Sequence, residues 1–193
     1  VDTVYFGGGT PSLLGADRLA GLLDVILSAY DVDSGAEITL EANPDSAGDP
    51  AALSVLRAAG FDRVSLGMQS ADDGELREIG RVHTMDQVRR AVDAVRTAGF
   101  ANLSLDLIYG LPHQTMDRWQ ANLEAAAGLS PEHLSCYGLK VEEGTPLFRR
   151  RESAGLPGDE AQADMYLYTV ERLEQLGYGQ YEISTFARPG LSS

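Results

Sequence analysis

The chain has one cysteine, Cys136, in 193 residues. That excludes an intrachain disulfide and points to a reducing, cytoplasmic setting. Long apolar runs are missing as well. None approaches the ~20 residues that a membrane-spanning helix needs, and no signal-peptide pattern opens the chain. Positive charge is scarce, with 15 Lys and Arg against 29 Asp and Glu and a net charge of -14. Long-range repulsion of that size opposes phosphate contacts, so a nucleic acid is excluded as a partner class. The run Arg149, Arg150, Arg151 is the basic exception and reads as a solvated helix end. Three histidines, His83, His113 and His133, are scattered with no second ligand at helical spacing, so no metal site is read from them. No sequence-level repeat is present. With 44% hydrophobic residues the chain is long enough for one full-sized core.

What is present is an alternation. Short runs rich in Val, Ile and Leu are each followed by a stretch of helical periodicity. "VDTVYFGG" precedes "DRLAGLLDVILSAY", where Leu19, Leu22, Leu23, Ile26 and Leu27 form one apolar face. "AEITLEANP" precedes "DPAALSVLRAAG", with Asp49 as N-cap, Pro50 at the first helical position and Gly60 as the stop. "DRVSLGMQS" precedes "TMDQVRRAVDAVRTAG", which ends at Gly99, and "ANLSLDLIYGLP" precedes "TMDRWQANLEAAAGL". "EHLSCYGLKV" precedes a longer loop and "DEAQADMYLYTVERLEQLG", after which "QYEISTFA" reads as a sixth apolar segment. This spacing predicts an α/β fold with a parallel sheet and crossover helices. Ala154 to Gly158 marks the end of a barrel body, giving residues 1–155 as the body and 156–193 as its last helix and the start of a further region.

In such folds chemistry gathers at the carboxyl ends of the strands. The first strand presents Gly7, Gly8, Gly9 and Thr10 there, the second Glu41 and Asn43, and the third Gln69 and Ser70. The fourth carries Asp106 between Leu105 and Leu107, and the fifth ends at Tyr137 and Gly138. A carboxylate in an apolar strand is costly to bury unless something satisfies it. For Asp106 and Glu41 that is either a neighbouring backbone or Arg, or a ligand. "FGGGTPSLLG" lacks the Gly-Lys-Ser/Thr ending of a P-loop. It also misses the Gly-x-Gly-x-x-Gly spacing, because Ser12 stands where the third glycine is wanted. Two uses stay open for it: a phosphate cradle at a helix start, or a backbone bare enough for a ligand's amino group to reach carbonyl oxygens. Cys136 lies within the fifth strand, where a thiol is a packing group.

Seven motifs, "YFGGGTPSLL", "ITLEANPDS", "RVSLGMQS", "GRVHT", "LSLDLIYGLPHQT", "YGLKVEEGTPL" and "YEISTFARPG", occur in this order. Together they resemble radical S-adenosylmethionine proteins of the oxygen-independent coproporphyrinogen III oxidase type, over nearly the whole chain. "SLGMQS" and "YEISTFARPG" are nearer the heme-chaperone branch than the oxidases, although Thr185 stands where that branch has asparagine. The resemblance implies a partial (β/α)6 TIM-like barrel of the radical SAM type with the first β/α unit missing. It implies S-adenosylmethionine as cofactor, held by Gly8, Gly9, Thr10, Glu41, Gln69, Arg81, Asp106 and Gly138. In that reading the glycine carbonyls and Thr10 receive the methionyl ammonium, and Arg81 forks onto the carboxylate. Glu41, Gln69 and Asp106 meet the remaining amino and ribose groups, and Gly138 offers backbone to the adenine.

The family also binds a 4Fe-4S cluster through a Cys-x-x-x-Cys-x-x-Cys loop, which this chain does not contain. "ARPGLSS" stops before the His-Asn and Tyr-Trp segment of the heme chaperones. The expectation is therefore an internal fragment, inactive by itself, whose first strand lacks a neighbour on one side. Its parent would bind the cluster and hand heme to acceptor proteins. One alternative is a coproporphyrinogen III oxidase of porphyrin biosynthesis. Another is a cluster-free phosphate-binding barrel, which Glu41 and Asp106 argue against because they repel phosphate.

Overall fold

A computed structural model describes all 193 residues. Its strands are β1 (Thr3–Phe6), β2 (Glu37–Ala42), β3 (Arg63–Gln69), β4 (Asn102–Tyr109), β5 (His133–Gly138), β6 (Gly179–Glu182) and β7 (Thr185–Ala187). Its helices are α1 (Ala16–Ala29), α2 (Pro50–Ala59), α3 (Asp73–Glu78), α4 (Met85–Thr97), α5 (Met116–Gly128), α6 (Pro146–Arg149) and α7 (Asp159–Gln175), with a 3-10 turn at Pro11–Leu14. Two compact units share them. The first holds residues 1–68 and 86–105 with Ser193; the second holds 69–85 and 106–192. The boundary expected at residue 155 lies inside the second unit. No helix is long and apolar enough to cross a membrane.

In the first unit the strand order is β1-β2-β3-β4, with β1 at its end and β2 as its one neighbour. β1 pairs parallel to β2 from Thr3 opposite Glu37 to Phe6 opposite Leu40, and β2 pairs parallel to β3 from Thr39 opposite Arg63. Every residue of β3 is buried, the mark of a parallel strand covered on both faces. α2 forms as its sequence directs. The Asp49 carboxylate accepts the Ala51 N–H at 2.9 Å, Pro50 opens the helix and Gly60 ends it at φ 119°. Leu53 and Leu56 of α2 are buried, as are Leu19 and Leu23 of α1, each contributing roughly 1.5–3 kcal/mol of transfer free energy. The face expected on α1 is only partly used. Leu22 and Leu27 remain 46% and 40% exposed, while Leu19 and Leu23 are fully buried and α1 packs beside α2.

In the second unit the order is β4-β5-β7-β6. Here "QYEISTFA" is not one parallel strand. It reverses at Ile183 and Ser184 into a hairpin, with β7 antiparallel to both β5 and β6. The reversal buries Phe186 and Ala187 against β5 while leaving Ile183 exposed at the turn. Trp119 of α5 is fully buried, and its indole N–H donates to Thr169 of α7 at 2.8 Å. The short α3 was not expected from the sequence. The arginine run is also more engaged than a solvated helix end. Arg150 donates to the Glu78 carboxylate at 2.8 Å, and Arg151 stacks 4.2 Å over the Phe148 ring.

Candidate functional site

The glycine loop belongs to the first unit and is built around Glu41. β1 brings Tyr5 to the Glu41 carboxylate, and the Tyr5 hydroxyl donates to Oε1 at 2.7 Å. The Gly8 N–H donates to Oε2 at 3.0 Å. Gly7 is squeezed between the two: a Cβ there would lie 2.5 Å from the Tyr5 ring and 2.9 Å from the Glu41 carboxyl carbon. Gly8 takes φ +90°, which other residues rarely adopt. A Cβ on Gly8 or Gly9 would meet nothing within 4 Å, so that side of the loop is open. Asn43 donates to the Thr10 hydroxyl at 3.0 Å and Ser12 bonds Ser46 at 2.7 Å, fastening this loop to the one after β2. The loop lines a cavity of about 410 Å³.

This geometry bears on the two uses left open for the glycines. A phosphate cradle offers its N–H groups to the anion. Here the Gly8 N–H already serves a carboxylate, and that carboxylate adds negative charge beside the loop. The loop therefore presents a carboxylate, not a free N–H, at this point.

The second unit carries Gln69, Arg81, Asp106 and Gly138. Gln69 ends β3 in the left-handed region, at φ 64°, and is buried. A non-glycine residue holds that conformation only when its surroundings over-determine it. The restraint follows directly in the chain. The Ser70 hydroxyl donates to Glu75 Oε2 at 2.7 Å, and the Ala71 N–H donates to Asn122 Oδ1 at 2.8 Å. Asn122 and Gln114 then donate to the same Glu75 oxygen at 2.8 and 3.0 Å. Gln114 in turn accepts the Gly110 N–H at 2.8 Å, just past β4. One carboxylate, 1% exposed, thus ties the segments after β3 and β4 to α5.

α3 leads from that network to Arg81. Asp72 caps the helix, accepting the N–H groups of Gly74 at 2.7 Å and Glu75 at 3.0 Å and a guanidinium N–H of Arg118 at 3.0 Å. Burial pulls its carboxyl upward, but those three donors outweigh it and hold the group below the ordinary carboxylate value. Gly80, at φ 76°, then turns the chain so that the Arg81 N–H reaches the Leu76 carbonyl at 2.9 Å. Arg81 is half-buried.

Asp106 is half-buried between the fully buried Leu105 and Leu107. Burial first, and then the Asp106 charge, pushes the Cys136 thiol far up. Burial also raises the Tyr137 phenol; a bond with Ser135 opposes this, and the Asp106 charge adds to it. Gly138 ends β5 against Tyr109, whose ring would lie 3.2 Å from an added Cβ.

The structure therefore groups Gly8, Gly9, Thr10 and Glu41 in one unit and seats Gln69, Arg81, Asp106 and Gly138 in the other. Sequence reading missed Glu75 and Asn122 altogether, and it met Gln114 only inside a motif. In "DDGELRE", Glu75 looks like any carboxylate on a solvated helix.

No three His, Cys, Asp or Glu side chains gather where they could hold a metal ion. His133 bonds the Tyr181 hydroxyl at 2.6 Å, and the Cys136 thiol is buried. An iron-sulfur cluster needs several accessible thiolates, so the residues of this chain do not fit one.

Residues 1–126 match the radical SAM superfamily. Over 99% of its length the chain is 40% identical to the heme chaperone HemW of Lactococcus lactis, and over 98% it is 42% identical to HemW of Mycobacterium tuberculosis. It covers 51% and 49% of those proteins, so it spans about half the length of the curated relatives it matches. Among solved structures it matches coproporphyrinogen III oxidase (HemN) from Escherichia coli, a radical SAM enzyme. The TM-score is 0.87 at 30% identity, covering 98% of this chain and 44% of that one. The α/β architecture expected from the sequence is thus the radical SAM fold of that enzyme.

Proposed function

Because the chain belongs to the radical SAM superfamily, we propose that it is the S-adenosylmethionine-binding part of a heme chaperone of the HemW type. The observation that carries this reading is the 40–42% identity to proteins of that name along almost the entire chain. The glycine loop supports it independently, because Glu41 and open glycine backbone suit an ammonium group.

In this reading Gly8, Gly9, Thr10 and Glu41 take the methionyl ammonium, and Arg81 takes the carboxylate. Gln69 and Asp106 serve the remaining amino and ribose groups, and Gly138 gives backbone to the adenine. When bound, S-adenosylmethionine supplies a sulfonium centre and an adenosine. The chain's own task is to orient its two charged ends. The 4Fe-4S cluster of the family finds no ligands among these residues, so no step is assigned to it. The protein acts in the cytoplasm, binds heme and passes it to acceptor proteins.

One observation favours a second reading. The fold match to a coproporphyrinogen III oxidase is close over 98% of the chain, which supports an oxidase of porphyrin biosynthesis. A heme titration followed by absorption, with transfer to an apo-acceptor protein, tests the choice. The chaperone reading expects saturable heme binding and release to the acceptor. Absence of heme binding, together with binding of coproporphyrinogen, would favour the oxidase.

A further inference from the structure

Three residues other than glycine adopt the left-handed region: Gln69 at φ 64°, His113 at φ 58° and Ser130 at φ 53°. Two of the three stand beside a donor to the same atom. Gln69 precedes Ser70 and His113 precedes Gln114, and both Ser70 and Gln114 donate to Glu75 Oε2. Backbone of this kind persists only where its surroundings over-determine it, and it gathers at binding and active sites. Both outliers lie at strand ends of the second unit. Gln69 is the last residue of β3, and His113 lies in the loop after β4.

Glu75 would be a costly way to fasten these segments if fastening were its whole task. Its Oε2 draws donors from the segment after β3, the loop after β4 and α5, at 2.7, 3.0 and 2.8 Å. Its Oε1 is buried with no hydrogen-bond partner, and the Arg118 guanidinium stays 3.8 Å away. A well-packed apolar side chain would leave neither a charge nor an unpaired oxygen in the interior. What the carboxylate adds is direction. Three donors converge on one point, so the segments that carry them hold a single arrangement. The Ser70 hydroxyl passes this on by accepting the Asp72 N–H at 2.9 Å, and Asn122 does so by accepting the Ala71 N–H at 2.8 Å. The two residues after Gln69 are thus fixed on both sides of the chain.

We infer that Glu75 is a positioning residue for cofactor binding, acting through Ser70 and Asn122 on the backbone of Gln69. The inference rests on the reading that Gln69 meets S-adenosylmethionine, and it names what sets the conformation of that residue. Glu75 is 1% exposed and acts through its neighbours. The test compares wild type with Glu75→Ala, Glu75→Gln and Asn122→Ala. Glutamine offers an amide oxygen where Oε2 stands and keeps the point of convergence, which alanine removes. Asn122→Ala leaves Glu75 in place and removes the acceptor of the Ala71 N–H. Tyr178→Phe serves as a destabilised control, because it loses a buried bond to the Pro131 carbonyl at 2.7 Å outside this network.

Each protein is titrated with S-adenosylmethionine at a temperature where its near-ultraviolet spectrum is that of the folded state. The carbon chemical shifts of Gln69 report its backbone conformation. Glu75→Ala should weaken binding about tenfold or more and move the Gln69 shifts toward strand values. Glu75→Gln should stay within about threefold of wild type and keep those shifts, and Tyr178→Phe should lose stability at unchanged affinity. A folded Glu75→Ala that binds as wild type does would overturn the inference and leave the cofactor reading standing. So would a Glu75→Gln as weak as the alanine variant, because the acceptor would then not be what matters. Affinity that falls in Tyr178→Phe as it does in Glu75→Ala would mark a structural effect only, and overturns the inference too. If Glu75→Ala does not fold, Asn122→Ala decides: binding about fivefold weaker or more is expected, and wild-type affinity overturns the inference. A folded wild type that binds no S-adenosylmethionine would overturn the cofactor reading, and this inference with it.

Discussion

Glu75 offers the sharpest test of how the second unit holds its site residues. Replacing it by alanine removes one acceptor that three buried side chains share. Ser70 keeps a partner, because its hydroxyl also reaches Asn122 Oδ1 at 3.2 Å. Arg118 keeps Asp72 at 3.0 Å. Gln114 and Asn122 are different: each is buried and each loses a bond to a charged oxygen. At about 1.5–3 kcal/mol for each of these two bonds, the variant should lose about 3–6 kcal/mol. That is a large part of the ~5–15 kcal/mol that stabilises an ordinary domain.

Urea unfolding followed by fluorescence of the fully buried Trp119 measures it. The midpoint should fall while the slope stays constant. Glu75→Gln keeps one acceptor oxygen and should lose about half as much. Hydrogen exchange adds a local readout, because the Ala71 and Gly110 amides are anchored through Asn122 and Gln114 and should lose protection. A loss under about 1 kcal/mol for the alanine variant, with those amides still protected, would refute the reasoning.

Three further outcomes are expected. The Asp72 carboxyl titrates below its ordinary value in the folded chain, so its contribution is complete above about pH 4 and is lost as pH falls through the folded value. Asp72→Asn should flatten the acid limb of urea midpoints measured from pH 6 to 3, and an unchanged limb would contradict the assignment. Gly7→Ala drives a Cβ into Tyr5 and Glu41 and should weaken S-adenosylmethionine binding about tenfold or more in a dialysis assay; unchanged binding would place the ligand elsewhere. Anaerobic incubation with iron and sulfide should leave the chain without a stoichiometric cluster, since its single thiol is buried and held protonated. Stoichiometric iron and sulfide would overturn that reading.

The parts of the fold legible in the sequence are those set by neighbours along the chain. α2 is the clearest case, because Asp49, Pro50 and Gly60 act through local backbone chemistry. β3 and β4 were legible because Val64, Leu66 and Met68, and Leu103, Leu105 and Leu107, recur at the two-residue period of a strand. The narrowing of the α1 face was not, since periodicity shows which residues share a side and not how wide the partner is. The Ile183–Ser184 reversal was hidden because "QYEISTFA" has no glycine, proline or asparagine to announce a turn. Arg150 finds Glu78 at a separation of 72 residues, which no local pattern records. The same holds for Glu75, whose partners come from three segments. Asp106 stood out because its neighbours are Leu105 and Leu107, whereas Glu75 sits among polar residues and did not.

The central claim is that this chain binds S-adenosylmethionine through its strand-end residues. Calorimetric titration of the chain with S-adenosylmethionine, beside Glu41→Gln and Arg81→Ala variants, tests it most directly. The account predicts saturable one-to-one binding by the wild type, with the dissociation constant raised about tenfold or more in each variant. No binding by the folded wild type, or equal binding by all three proteins, would contradict it.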